Sequence, residues 1–322
     1  HEHWHGVGPF NVEDGEFIKK GVEKSATAVF SDALFNLASK YENIVGVTAA
    51  MPSGTGMDKL IKEFPNRFWD VAIAEQHAIT SMAAMAKEGF KPFVTIYSTF
   101  LQRGFDQIIH DVCIMNLPVV FAMDRAGIVG NDGETHQGAF DISFLRFIPN
   151  MVLFAPRDNE TLEYSLDFAY SLNSPCAIRY PRGAFSKLDF QPSKFELGKS
   201  ELLKNGTSNK LFIGYGSGVR KAIEVEKLHN EDIAILDLRF VKPLDIDTLI
   251  NLSKKYDSWY IFSDSCKQGG VLSAILEALS EKNITNISLK SFEYEDSFIE
   301  HGDTKRVEES LQLLPTQLIN LI

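Results

Sequence analysis

The chain is 322 residues long, with 43 acidic and 32 basic side chains and a formal net charge of −11. That acid excess, with no basic block, argues against a nucleic-acid backbone as partner, and no apolar run approaches the ~18–20 residues of a membrane-crossing helix. With 44% hydrophobic residues the composition supports a sizeable core rather than disorder, and at ~100–200 residues per domain two domains are expected.

Residues 1–24 read as an amino-terminal arm, rich in glycine and charge and without a period. His1, His3 and His5 alternate there, but terminal arms fray and no cysteine or acidic cluster supports them, so no metal ligand is assigned. From Ser25 onward Phe30, Leu34, Leu37, Ala38 and Tyr41 fall on one face of a helix that Ser25 or Thr27 can cap. NIVGVT, FWDVAI, KPFVTIY, PVVFAMD, MVLFAP and CAIRY follow as strands. Helical stretches at Glu75–Lys87 (closed by Gly89), Ser98–Asn116 and Arg157–Leu172 separate them.

A linker is predicted over 186–200, where proline and glycine interrupt any period. A second alternating unit occupies 201–322. Its strands are KLFIGYG, DIAILDL, WYIFSD and NISLK, and its helices Val219–Leu228, Ile246–Lys255, Val271–Leu279 and Lys305–Leu313. Strands alternating with helices imply right-handed crossovers, so the expected architecture is two α/β domains in series, at 25–185 and 201–322, each with a parallel or mostly parallel sheet. Cys113, Cys176 and Cys266 are widely spaced, lie in apolar runs and form no CxxC pair. Together with the absence of a signal peptide they point to the reducing cytoplasm. A chain that starts at His1 is read as processed or as a piece of a longer one.

Ligands of open parallel sheets lie beyond the carboxyl ends of the strands, so polar residues there are the functional candidates. Glu75 ends a strand and opens a helix in DVAIAEQHAIT. The helix dipole favours its anion while burial opposes it, and a carboxylate between those pulls can share a proton with a bound heterocycle. Acids are also ordinary in a first helical turn. In IYSTFLQRGFDQ, Tyr97 is followed by Phe100 and Arg103, which share a face if a helix starts at Ser98. Such an aromatic can stack on a flat ligand or belong to the core. The segment DRAGIVGNDGETHQGAF, 124–140, fits neither helix nor strand, and Ile128, Val129 and Phe140 suggest that it is tied down. A loop this long in a compact domain is usually functional. Within it Arg125 suits an anion, and Asp132 and His136 suit hydroxyls or proton transfer. In IRYPRG either Arg179 or Arg182 could join Arg125 on an anion.

Taken in order, DVAIAEQHA, IYSTFLQRGFDQ, DRAGIVGNDGETHQGAFD and RYPRG resemble the thiamine diphosphate-dependent transketolase superfamily, and within it the 1-deoxy-D-xylulose-5-phosphate synthase family. HGVGPF resembles the stretch that enters this domain, and LRFVKPLD and FIEHG resemble the superfamily's carboxyl-terminal domain. The resemblance implies a pyrimidine-binding domain followed by that carboxyl-terminal domain, without the amino-terminal domain that binds Mg2+ and the diphosphate. No counterpart of that domain's GDG-type motif is present.

By the same resemblance Glu75 bonds the aminopyrimidine nitrogen of thiamine diphosphate, Phe100 stacks on that ring and Arg103 lies beside it. Arg125 and Arg182 hold the phosphate of D-glyceraldehyde 3-phosphate, and Tyr97, Asp132 and His136 contact substrate hydroxyls or the reacting species. His5 matches a histidine near the reacting carbon, which makes Glu75, His5 and His136 the catalytic set. The implied reaction is decarboxylation of pyruvate and transfer of its two-carbon unit to the aldehyde, giving a precursor of isoprenoids, thiamine and pyridoxal. A cytoplasmic homodimer is implied as well. FSDSCKQGG departs from the acidic pattern of relatives, and no catalytic role is assigned there.

Two alternatives come with the chain's size: a beta subunit of a 2-oxoacid dehydrogenase or split transketolase, and a dimeric remnant inactive by itself. A nicotinamide enzyme rests only on GYGSGVRKA, a partial fingerprint without the third glycine.

Overall fold

The computed structural model describes residues 10–16, 24–185 and 187–322. Six strands lie within the first unit: β1 Ile44–Thr48, β2 Phe68–Asp70, β3 Lys91–Tyr97, β4 Val120–Asp124, β5 Val152–Phe154 and β6 Cys176–Arg179. Six follow after residue 200: β7 Glu201–Lys204, β8 Lys210–Gly214, β9 Ala234–Asp237, β10 Phe240–Lys242, β11 Ser258–Cys266 and β12 Ser288–Tyr294. They form two sheets, ordered β10-β5-β6-β4-β3-β1-β2 and β12-β11-β8-β9-β7. Pairing is parallel except where β10 meets β5 and β7 meets β9, so the architecture is the expected pair of mostly parallel α/β units.

The first sheet is covered on both faces, which is why its strands read as apolar runs rather than alternations. On one face Phe30 and Leu34 of the helix Ala26–Lys40 pack with Leu162 and Leu166 of the helix Asn159–Ser171 against Ile44 and Phe93. On the other, Ile79 and Met82 of the helix Glu75–Lys87 meet Val47, Val94 and Ile96. That second cluster continues through Ile148 and Leu153 to Leu211 and Trp259 of the second sheet, so the units share a core. Ser25 caps its helix as the sequence suggests, accepting from Ala28 N–H, whereas the helix expected from Arg157 starts at Asn159, where Asp158 forms a reciprocal capping box with Thr161.

Several elements differ from the sequence-based expectation, among them the short helices Asp58–Glu63, Asp141–Leu145 and Pro315–Leu318, which were not expected. FWDVAI stops being a strand at Asp70, because Ala72 turns to φ 59° and its N–H, with that of Ala50, bonds the Asp70 carboxylate at 3.0 and 2.6 Å. The helix expected over Ser98–Asn116 is a succession of short turns, with a 3-10 turn at Gln102–Gly104 and a π-helical stretch at Ile108–Cys113. Neither β7 nor β10 was expected. β7 is a half-exposed edge whose ladder is backbone pairing, with no apolar alternation to announce it. β10 follows β9 in the chain but pairs with β5, because Phe240 packs among Phe154 and Phe168 of the first unit and Phe195 of the linker with centroids 5.4–5.9 Å apart.

Ion pairs close the joint between the units. Arg179 is fully buried and bonds Asp141 at 3.0 Å and Asp264 of the second unit. Arg157, equally buried, bonds Asp237 at 2.9 Å and Glu201 at 2.5 Å. All three cysteines are free and buried, and burial pushes the Cys113 and Cys176 thiols up to about 12.

One buried carboxylate makes folding sensitive to pH. Glu293 accepts from Val271 and Leu272 N–H, at 2.8 and 3.3 Å, at the start of the helix Val271–Glu281, yet burial outweighs those bonds and raises it from 4.5 to about 7. A folded-state value above the unfolded one means that its stabilising contribution, present below pH ~4.5, is lost as pH rises toward 7. Glu293→Gln should therefore gain on the wild type by up to ~3 kcal/mol between pH 4.5 and pH 8 in urea titrations. A difference that stays constant with pH would contradict this.

Candidate active site

The crevice beyond β1, β2, β3 and β4 collects most of the residues singled out from the sequence. Glu75 is the first residue of its helix and only 4% of its side chain is exposed. Its Oε2 lies 3.3 Å from Arg103 Nη1, whose side chain is half exposed. The segment after β3 comes this close because residue 104 is glycine; a Cβ there would collide with Ile79 and lie 3.5 Å from the Glu75 carbonyl.

Tyr97 and Phe100 stack at 5.7 Å between centroids, and the His136 ring meets Phe100 edge-on at 5.0 Å. Thr99 Oγ1 donates to the Thr135 carbonyl at 3.1 Å, tying the long loop to this segment. The Arg125 guanidinium lies 3.8 Å over the Tyr97 ring and donates to the Gly54 carbonyl at 2.6 Å and to Asp124 at 2.9 Å. Burial pushes the Asp124 carboxyl up to about 6, against the opposing pull of Arg125 and of Thr27, whose hydroxyl donates at 2.7 Å. The Tyr97 hydroxyl is also raised, chiefly by burial, with Arg125 and Arg182 opposing and Asp124 and Asp132 adding to the shift. The rings, both arginines and both aspartates thus surround one space.

The two arginines proposed for an anion have different partners. Arg125 is held by Gly54 and Asp124, whereas Arg182 Nη1 pairs with Asp132 at 2.9 Å and donates to the Val129 carbonyl at 2.9 Å. Arg179, the alternative from IRYPRG, is consumed by Asp141 and Asp264 and faces no crevice. His5 lies outside the described residues, as does most of the arm.

Sequence reasoning assigned no site role to Thr27, Gly54, Asp124 or Gln137. Gly54 had a readable signal, a glycine just after β1; a Cβ there would collide with the Tyr97 hydroxyl. The Thr27–Asp124 and Gln137–Glu300 contacts span 97 and 163 residues and carried none. A cavity of about 290 Å³ opens elsewhere, between the units, bordered by Arg182, Ser217, Arg220, Lys221, Asp264 and Glu308. Its cations are matched by acids, Arg220 by Glu224 and Lys221 by Glu308, and it does not include Glu75. Among the described residues no three histidines, cysteines or acids stand together as a metal-holding group.

The geometry can be set beside known proteins. The family profile "Transketolase, pyrimidine binding domain" matches residues 23–187, and "Transketolase, C-terminal domain" matches 198–318. The chain belongs to the transketolase family. It is 80% identical to the 1-deoxy-D-xylulose-5-phosphate synthase of Aliarcobacter butzleri over 100% of this chain and 54% of that protein. It is 62% identical to the synthase of the same name from Sulfurimonas denitrificans, over 98% of this chain and 52% of that protein. The chain therefore spans about half the length of the curated relatives it matches. A solved structure, "Split gene transketolase, inactive beta4 tetramer", superposes with TM-score 0.81 at 25% identity, over 92% of this chain and 96% of that one. Transketolase from Campylobacter jejuni shares the fold, with TM-score 0.75 at 19% identity over 94% of this chain and 47% of its own.

Proposed function

We propose that the chain is the pyrimidine-binding and carboxyl-terminal part, 25–185 and 201–322 joined by 186–200, of a synthase that makes 1-deoxy-D-xylulose 5-phosphate from pyruvate and D-glyceraldehyde 3-phosphate. The observation that carries this is Glu75: a nearly fully buried acid at a helix start, with Arg103 beside it and Phe100 on the segment that positions Arg103. Those residues fit the ring end of thiamine diphosphate, offering one acid to a ring nitrogen and one aromatic to its plane. When bound, the cofactor supplies the electron sink for decarboxylation. The Mg2+ and diphosphate end falls to the part of the relatives that this chain does not cover.

The remaining residues take the acceptor. Arg182 would exchange Asp132 for the aldehyde phosphate, which offers a doubly charged fork partner. Arg125, fixed on Tyr97 and Gly54, would supply the second cation, and Tyr97, Asp132 and His136 the hydroxyl contacts. His5, by its match, would stand near the reacting carbon. A cytoplasmic homodimer belongs to the same proposal; the exposed aromatics Phe147 and Phe298, at 61% and 77%, support a partner-covered face, and three free buried thiols suit a reducing compartment.

A second reading concerns the chain by itself. The split-gene structure of similar extent is described as inactive, which favours an inactive remnant when this chain stands alone. Assaying the full-length protein with thiamine diphosphate, Mg2+, pyruvate and the aldehyde should give the phosphorylated product and carbon dioxide in equal amounts, and the isolated chain should give neither. Arg182→Ala should raise the KM for the phosphorylated aldehyde by about 10–100-fold, the worth of one charged hydrogen bond, and leave that for pyruvate unchanged. Equal effects on both substrates would reject the phosphate role, and turnover by the chain alone would reject the remnant reading.

A further inference from the structure

The loop that runs from β4 to Phe140 has no helix or strand of its own, and a buried polar side chain ties its interior to the second unit. Gln137 is 4% exposed. Its Oε1 accepts from Val129 N–H at 2.8 Å, and its Nε2 donates to the Glu300 carbonyl of the second unit at 3.2 Å. Those partners fix the amide's orientation, since a flip would face donor with donor and acceptor with acceptor. The Val129 carbonyl in turn accepts from Arg182 Nη1 at 2.9 Å, and the same nitrogen pairs with Asp132 at 2.9 Å.

The second unit presses on this loop elsewhere too. Gly302 N–H reaches the Gly130 carbonyl at 3.3 Å, and Cys266 N–H reaches that of Ala139 at 2.8 Å. Gly130, at φ 71°, admits the approach; a Cβ there would lie 2.7 Å from Thr304 Oγ1 and 2.9 Å from the Gly302 carbonyl. Gly127 and Gly138 close the base of the loop with reciprocal bonds of 2.8 Å. Ile128 and Ala139 pack on the second unit's apolar core, and Gln137 adds a side-chain hydrogen bond from the loop interior to that unit.

We propose that Gln137 is a positioning residue: through Val129 and Glu300 it lets the carboxyl-terminal domain set the place of Arg182 and Asp132, and with them affinity for the phosphorylated aldehyde. This rests on the reading of Arg182 and Asp132 given above. It assigns the second domain a part in acceptor recognition, although the segment 298–303 carries none of the residues placed against substrate.

Gln137→Met preserves length and removes both hydrogen bonds. In the full-length protein it should raise the KM for D-glyceraldehyde 3-phosphate about tenfold, the worth of two neutral hydrogen bonds, with kcat and the KM for pyruvate within about twofold. Hydrogen–deuterium exchange should accelerate about tenfold or more across 127–133 and stay unchanged across β4. Gln137→Glu keeps the acceptor for Val129 and loses the donor to Glu300. It should leave Val129 protected, raise the aldehyde KM, and serve as the deciding variant if the methionine protein does not fold. Unchanged exchange at 127–133 in Gln137→Met, or equal KM increases for both substrates, would overturn the proposal. A wild-type protein inactive with the aldehyde would remove the functional reading, and loop exchange in Gln137→Met would still decide whether Gln137 clamps the loop.

Discussion

Glu75→Gln in the full-length protein is expected to lower kcat by about 10²–10⁴-fold, the span that general acid–base groups contribute. The fold should hardly notice. Glutamine has the same shape, and a first-turn carboxylate contributes only ~0.3–1 kcal/mol to its helix. The Arg103 contact, at 3.3 Å with a half-exposed partner, adds little more. What glutamine cannot do is share a proton with a ring nitrogen. Urea midpoints should therefore stay close to wild type while turnover collapses. Activity within tenfold of wild type would remove Glu75 from the chemistry and leave it an ordinary helix-start acid.

Arg179→Met should have the opposite signature, a loss of stability of about 3–5 kcal/mol, because it strands buried carboxylates without their cation. Burial alone pulls the Arg179 guanidinium down, but Asp141 and Asp264 hold it above the ordinary arginine value. Asp141 is 1% exposed; without Arg179 its donors among the described residues are neutral, the Ser98 hydroxyl and its neighbour Ile142 N–H. Asp264 belongs to the second unit, so the loss should also loosen the joint between the units. Urea denaturation measures it, with Arg182→Ala as the reference: that side chain is 42% exposed and should cost within ~0.5 kcal/mol. Equal destabilisation by both substitutions would contradict the account.

These two arginines also show how far a sequence can be read. IRYPRG presents them three positions apart with nothing to distinguish them. Their fates are set by Asp141 and Asp264, which lie 38 and 85 residues away from Arg179. Pairings at that range leave no local signal. Strand and helix alternation did leave one, because fully covered parallel strands must be apolar throughout. β7 and β10 escaped for the converse reason: each has three or four residues and borrows its order from a neighbouring strand. In the long loop the glycines were visible, but not that Gly130 and Gly133 make room for the second unit near Thr304 and His301. The crevice residues Tyr97 and Arg125 were legible because they stand at the carboxyl ends of β3 and β4, where the topology of an open sheet forces polar groups to gather.

The central claim, that Glu75 governs proton transfer at the cofactor, is tested most directly by deuterium exchange at the thiazolium carbon of thiamine diphosphate bound to the full-length protein, followed by rapid quench and proton NMR. Wild-type protein should exchange that proton faster than turnover, and Glu75→Gln should slow it by about the same 10²–10⁴-fold as kcat. Exchange at the wild-type rate in the variant would contradict the account.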